Sequence, residues 1–275
     1  MRGNSDRFFY GAGGLGEGWL EVSDKNLIKQ WRKVLRLTDG DVVRLFDGSG
    51  NEYRYQVLGS RFLVLDEKVG TQNRRDKKIN LKFVDKKFFE EPKGKLVLGF
   101  GLLKNKERTE WLIEKVTELG VDEVIPLVTR YSQVDNLRGA DRLKKKIIEA
   151  CEQCGRVRMP ELRANFQFPI FPSRDRTAAG NFQTYAEKYY KDYLKICFDG
   201  RGERIDLIDL KTKIQEEQNN VLLMVGPEGG WSEEEYDWLT KNNFLRLSLG
   251  SNVLRAETAG VVGVGVIKLI MNNRD

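Results

Sequence analysis

The chain runs to 275 residues, with 47 Lys and Arg against 41 Asp and Glu, a formal charge of +6, 40% hydrophobic and 32% charged residues. This composition fits one large or two modest globular domains, holds no apolar run of membrane-spanning length and no signal-peptide core at Met1–Asp6, and so predicts a soluble, cytoplasmic protein. It contains no histidine, which excludes Ser-His-Asp and Cys-His nucleophiles and every His-based metal site, while three cysteines argue for a reducing compartment rather than a disulfide framework.

Residues 1–73 read as a small β-rich domain. Gly11-Ala12-Gly13-Gly14-Leu15-Gly16 has the form of a dinucleotide fingerprint, but Glu17 to Val22 after it opens no helix, so the segment is read as a loop. Asp24 to Leu37 has helical spacing, with Leu27, Trp31, Val34 and Leu35 on one face. Val42 to Phe46 and Glu52 to Leu58 flank Asp47-Gly48-Ser49-Gly50-Asn51, a hairpin signal, and Arg61 to Glu67 reads as a third strand. The polar, charged stretch Thr71 to Lys78 carries the domain boundary, and a second domain spans 74–275.

From Ile79 strands alternate with helices. Strands are expected at Leu81 to Val84, Lys95 to Phe100, Val121 to Val128 (interrupted by Pro126), Leu194 to Phe198, Asn220 to Val225 and Leu245 to Leu249. Helices are expected from Lys106 to Leu119 with Gly120 as C-cap, from Asp141 to Cys154 ending at Gly155, from Ser232, and from Thr258 to Met271. Phe166 to Thr184, with Pro169, Pro172 and Gly180, reads as loop. The alternation implies an α/β domain with a mostly parallel sheet and helices on both faces.

Two strand-to-helix bends carry the chemistry. In the first, Met224-Val225-Gly226-Pro227-Glu228-Gly229-Gly230-Trp231-Ser232, the glycines allow positive φ and close backbone approach, and Ser232 with Glu235 forms a capping box. In the second, Leu247-Ser248-Leu249-Gly250-Ser251-Asn252-Val253-Leu254-Arg255-Ala256-Glu257-Thr258-Ala259, Arg255 and Glu257 stand at the mouth of a long apolar helix. Such bends side by side at the carboxyl ends of neighbouring strands form a cofactor cleft. Cys151-Glu152-Gln153-Cys154, near a helix C-terminus with no second pair, reads as helix packing rather than zinc or redox chemistry. Gly260, Gly263 and Gly265 let the last helix lie close to its own sheet or to a partner chain.

Together, Lys106 to Leu127, Thr129-Arg130-Tyr131-Ser132, Glu149 to Pro160 and the two bends resemble the RsmE family of 16S ribosomal RNA uracil-N3 methyltransferases in the SPOUT superfamily, with Val34-Leu35-Arg36 and Leu45 to Gly48 extending the match into the first domain. The resemblance implies a SPOUT fold with a deep C-terminal trefoil knot, a PUA-like RNA-binding β-barrel in front of it, S-adenosyl-L-methionine as cofactor, no metal, and a homodimer with active sites near its interface. It places the cofactor at Met224 to Gly230, Leu247, Leu249, Gly250, Val253, Leu254, Thr258 and Ala259, with Glu257 as a candidate proton acceptor. Arg255, Arg130 and Arg156 would stabilise the developing oxyanion or hold phosphate, and Arg7, Arg36 and Lys104 would meet RNA, the substrate being 16S rRNA or the assembled 30S subunit. Gln30 stands where relatives carry a histidine. The competing readings are another SPOUT RNA methyltransferase, such as a ribose 2′-O enzyme, and a non-catalytic RNA-binding ribosome-assembly protein.

Overall fold

A computed structural model describes residues 7–11, 13–58, 78–90, 92–134, 137, 139–164, 166–168 and 181–272. The chain divides into two units, Met1–Glu91 with Cys151–Met159, and Pro92–Ala150 with Pro160–Asp275.

In the first unit, β1 (Arg7–Phe9), β2 (Trp19–Val22), β3 (Val42–Phe46), β4 (Asn51–Leu58) and β5 (Ile79–Phe88) form one sheet in the order β1-β3-β4-β5-β2. The expected hairpin is present, with Val43 opposite Tyr55 and Leu45 opposite Tyr53. Its bend is closed by the Asp47 carboxylate, which accepts from the Ser49 amide at 2.9 Å, and by Gly48 and Gly50 at φ +89° and +98°. Alternating residues of these strands, among them Val22, Leu45, Tyr55, Val57 and Leu81, pack with Trp31 into the core.

Two expectations are corrected here. The helix expected over Asp24 to Leu37 is α1 (Lys25–Lys29), capped by Asp24, followed by a wider π turn over Gln30–Leu35 that ends at Arg36 with φ +53°. The π turn rotates the residues within it, so Trp31 is buried edge-on to Phe8 while Val34 stands 71% exposed instead of sharing its face. The strand placed at the start of the second domain is β5, which pairs antiparallel with both β4 and β2 and so completes the first sheet. The boundary at Thr71 to Asn73 and the strand at Arg61 to Glu67 lie outside the described residues.

The second unit holds β6 (Leu96–Gly101), α2 (Lys106–Glu118), β7 (Glu123–Val128), α3 (Ala140–Cys154, whose last turn from Cys151 counts with the first unit), β8 (Glu161–Leu162), β9 (Phe166–Gln167), α4 (Phe182–Tyr189), β10 (Leu194–Arg204), α5 (Leu207–Glu216), β11 (Val221–Val225), α6 (Glu233–Lys241), β12 (Leu245–Ser248) and α7 (Ala256–Asn272). Its sheet runs β12-β10-β11-β6-β7-β8, with β9 also on β7, and every pairing is parallel. β6 and β11 are buried at every position, as central strands covered on both faces must be. Pro126 does not interrupt β7: β8 pairs with Glu123 and Val124, β9 pairs with Leu127 and Val128, and the residue without an amide proton sits in the gap between them.

Part of the stretch read as loop is α4, where Asn181 accepts from the Gln183 and Thr184 amides and Phe182 and Ala186 enter the core. Pro169, Pro172 and Gly180 lie outside the described residues. The last helix begins at Ala256, two residues before its expected start, so Glu257 is helical. From the edge strand β12 the chain returns to the middle of the sheet, where α7 packs on β6, β11, α2 and α5. The small residues of α7 permit this: a Cβ on Gly260 would meet Leu112 of α2 at 2.8 Å, and one on Gly263 would collide with Phe198 and Leu223 of the sheet.

Candidate active site

The bends after β11 and β12 and a bulge within β10 converge on one cavity of about 540 Å³. The first wall is the bend after β11, where the Gly230 amide donates to the Pro227 carbonyl at 2.9 Å and Gly230 takes φ +72°. The bend is pinned from two sides. Ser232 caps α6 and receives the Glu235 amide at 3.2 Å, while the Glu235 carboxylate accepts the Ser232 amide and the Arg130 amide at 2.8 Å each. Burial raises the Glu235 pKa, and those two backbone bonds oppose the rise. The second wall is the bend after β12, in which the Ser248 hydroxyl donates to the Gly250 carbonyl at 2.9 Å and Gly250 takes φ +147°. Leu249, Val253 and Leu254 give this wall its apolar surface.

The third wall was not foreseen from the sequence. β10 follows β12 in register up to Phe198, opposite Leu247, then bulges, and Leu247 is met again by Glu203. Asp199, Gly200 and Arg201 of that bulge line the cavity. A Cβ on Gly202 would lie 2.7 Å from backbone of Leu247, so only glycine fits where the strand returns. Arg246 holds the bulge: its guanidinium donates to Asp199 at 2.5 Å and stacks on the Tyr236 ring at 4.3 Å, with Arg201 on the same ring at 4.8 Å. Burial disfavours an ionised Asp199, but the bonds from Arg246, the Arg201 amide and Tyr236 together hold its pKa below the ordinary aspartate range. The available signal was Asp199-Gly200-Arg201-Gly202, a third Gly-rich strand end.

Of the residues expected at a cofactor, Val225, Gly226, Pro227, Glu228, Gly230, Leu249, Val253, Leu254 and Ala259 line the cavity, as does Arg255. Met224 is in the core, Gly229 packs on Tyr131, Leu247 is in β12, and Gly250 and Thr258 are not among the lining residues. Glu257 is buried on another side of α7 from Ala256 and Ala259: one oxygen lies 3.5 Å from Arg108 of α2, and the other has no hydrogen-bond partner. Arg130 follows β7 with its amide on Glu235, whereas Arg156 belongs to the first unit, its amide on the Cys151 carbonyl. Cys151 is buried with its thiol pushed up to about 12 by desolvation, so it is inert as a nucleophile at neutral pH. Among the described residues, no group of three or more Cys, Asp or Glu is placed to hold a metal ion, and no helix is long and apolar enough to cross a membrane.

The residues expected at RNA fall in both units. Arg7 pairs with Glu52 in a groove of the first unit that also presents Arg44, Arg54, Lys86 and Lys87; its second carboxylate, Asp85, is bound by Arg54. Arg36 is exposed at the end of the π turn. Lys104, in the second unit, is exposed after β6.

The family model of the RNA methyltransferase domain matches residues 90–268, and that of the RNA methyltransferase PUA domain matches residues 32–67. The chain belongs to the RNA methyltransferase family. This methyltransferase is 27% identical over 91% of its length to 90% of the ribosomal RNA small subunit methyltransferase E of Rickettsia conorii. Its fold is that of the Neisseria gonorrhoeae ribosomal RNA small subunit methyltransferase E solved with S-adenosyl methionine bound (TM-score 0.74, 20% identity, 97% of this chain and 98% of that one). A Legionella pneumophila chain solved in complex with the same cofactor is similar at TM-score 0.71 and 25% identity, over 97% of the methyltransferase and 98% of its own length.

Proposed function

We propose that this RNA methyltransferase methylates N3 of a specific uridine in 16S ribosomal RNA, in the decoding region of the small subunit, with S-adenosylmethionine as donor. The carrying observation is the cavity closed by the bulge of β10 and the bends after β11 and β12 in a chain of this family. Its residues suit that cofactor. A Cβ on Gly230 would meet nothing within 4 Å, which leaves the backbone open to close approach, Leu249, Val253 and Leu254 offer apolar surface to a purine, and Arg201 and Arg255 offer cations to a carboxylate. When bound, the cofactor supplies a methyl group already activated on its sulfonium, which passes to N3 and leaves S-adenosylhomocysteine.

Uracil N3 carries a proton that must leave, and charge then spreads to O2 and O4. Arg255, on the cavity wall, is assigned to that charge, and Arg130, held beside the first bend through its amide, to charge or phosphate. Arg156, in the first unit, is assigned to phosphate. Glu257 is the assigned proton acceptor, having one carboxylate oxygen unpartnered at the start of α7. The remaining assigned cofactor contacts, Met224, Gly229, Leu247, Gly250 and Thr258, are not among the residues that line the cavity. RNA is met by the cationic groove of the first unit, by Arg36 and by Lys104.

Cytoplasmic location follows from an RNA substrate within the ribosome. A homodimer is supported by exposed apolar side chains on α7 and α2: Val262 and Leu269 are exposed one heptad apart on α7, Gly265 between them lies against Leu119, the exposed C-cap of α2, and Trp111 is exposed on α2. The knot is part of the same reading, supported by the return of the chain from edge strand β12 to the centre of the sheet as α7. The test is nucleoside analysis of small-subunit RNA from cells lacking the protein. Loss of N3-methyluridine is expected, and its persistence overturns the assignment. Calorimetry adds a check on the cavity: Glu228→Arg should abolish the heat of S-adenosylmethionine binding, and no such heat in the wild type would mark a pure RNA binder.

A further inference from the structure

A second cavity, of about 670 Å³, opens at the carboxyl ends of β6 and β7. Leu102, Leu103 and Leu143 are buried beneath it, Ser132 and Gln133 border it, and Lys104 and Lys106 stand exposed on its rim. The acid in its wall, Glu110, is already met by the Arg142 guanidinium at 2.6 and 3.0 Å, so the rim remains cationic.

This cavity and the cofactor cavity share a wall. A Cβ on Gly229 would meet Tyr131 at 2.7 Å, and one on Gly101 would collide with Pro227, so the turn Pro227–Gly230 is lodged between Gly101 and Tyr131. Each of those residues is followed by one that lines the second cavity, Leu102 and Ser132. Glu235 fastens the arrangement by binding the Arg130 amide.

The chemistry of the lining selects an occupant. The Ser132 hydroxyl is held in its own turn by the Thr129 amide and hydroxyl, so the polar edge is the exposed Gln133 side-chain amide. An apolar floor bordered by that amide suits a flat heteroaromatic ring whose edge carries donors and acceptors, and paired lysines on the rim suit phosphodiesters on either side of it. A strongly acidic peptide would satisfy the lysines and leave the leucine floor uncovered. N3 is on the base-pairing edge of uracil, so a base must leave its stack to react and needs a pocket beside the methyl donor. We infer that the second cavity receives the extruded uracil nucleotide. The base lies over Leu102, Leu103 and Leu143, its flanking phosphates meet Lys104 and Lys106, and its reactive edge meets the methyl donor past the turn Pro227–Gly230. The inference rests on the methyltransferase reading above.

The test measures methyl transfer from S-adenosylmethionine to assembled small subunits, beside cofactor affinity by calorimetry. Leu143→Trp fills the floor, and Gln133→Trp blocks the mouth from an exposed loop position where folding is not at stake. Each should lower kcat/KM for the subunit about tenfold or more with cofactor affinity within about twofold of wild type, the signature of a lost substrate contact. Lys104→Ala with Lys106→Ala should raise KM and flatten its salt dependence. Small subunits carrying 4-thiouridine at the target should photo-cross-link to the segments around Leu102 to Lys106 and Ser132 to Leu143. A folded Gln133→Trp protein with wild-type kcat/KM, or cross-links confined to other segments, overturns the proposal. Failure of the wild-type protein to methylate at all would instead overturn the underlying function.

Discussion

Glu257 and Asp199 are carboxylates in contrasting surroundings. Glu257 is buried beside Arg108 with one oxygen unpartnered, whereas Asp199 is bound by Arg246 at the bulge of β10. Glu257→Gln keeps the shape and removes the basic oxygen. If Glu257 accepts the N3 proton, kcat should fall by about 10²-fold or more while cofactor affinity stays near wild type, because general-base catalysis is worth about 10² to 10⁴. Equal losses in both would make the residue a partner of Arg108 only. For Asp199 the folded-state pKa is depressed, so its contribution to stability is present above the unfolded value of about 3.9 and is lost as pH falls through the folded value. Thermal melts of wild type and Asp199→Asn should therefore differ at pH 5 to 7 and converge as the pH drops below about 4. A gap that does not narrow at all as the pH falls below about 4 would mean that packing, not charge, is what Asn fails to supply.

At the scale of elements, what was legible was written in neighbouring residues. Ser232 and Glu235 announce their capping box by type and spacing, and the structure contains both of its bonds. Ser232→Ala should cost about 1 kcal/mol in urea unfolding, the usual loss for a capping hydroxyl, and should loosen the Arg130 loop that shares Glu235. The hairpin of β3 and β4 was legible for the same reason. The wall formed by Asp199 and Arg201 was not, because it depends on a register slip between β10 and β12, strands separated by two helices and β11. The π turn after α1 was equally hidden: no local spacing encodes one extra residue per turn, and burial of Trp31 against Phe8 selects it. The face of α7 that Glu257 occupies also depended on where the helix starts. Gly263 shows local propensity overruled by packing. Valine there would gain a few tenths of a kcal/mol in helix propensity but would be driven into Phe198 and Leu223, an overpacking worth about 1–3 kcal/mol. Gly263→Val should thus lower the denaturation midpoint, and an unchanged midpoint would show that α7 can lift off the sheet.

On the scale of the whole molecule, the exposed stripe Trp111, Leu119, Val262 and Leu269 tests the assembly. Light scattering on a sizing column should give twice the chain mass for the wild type and the chain mass for Val262→Glu with Leu269→Glu. A monomeric wild type at micromolar concentration would overturn the dimer. The order in which the chain supplies the candidate cofactor cavity has a consequence for how the protein is made. Its walls come from Phe198 to Arg201, Val225 to Trp231 and Ser248 to Ala259, whereas the central strand β6 is complete by Gly101. A chain emerging from the ribosome presents its first sheet and the β6, β7 and β8 strands of its second before any part of the cavity exists. Ligand stabilisation acts only on a state that binds, so the methyl donor can strengthen the finished protein but cannot guide the nascent one. A cell short of donor would accumulate folded, empty enzyme rather than misfolded chain, ready to act as soon as supply returns.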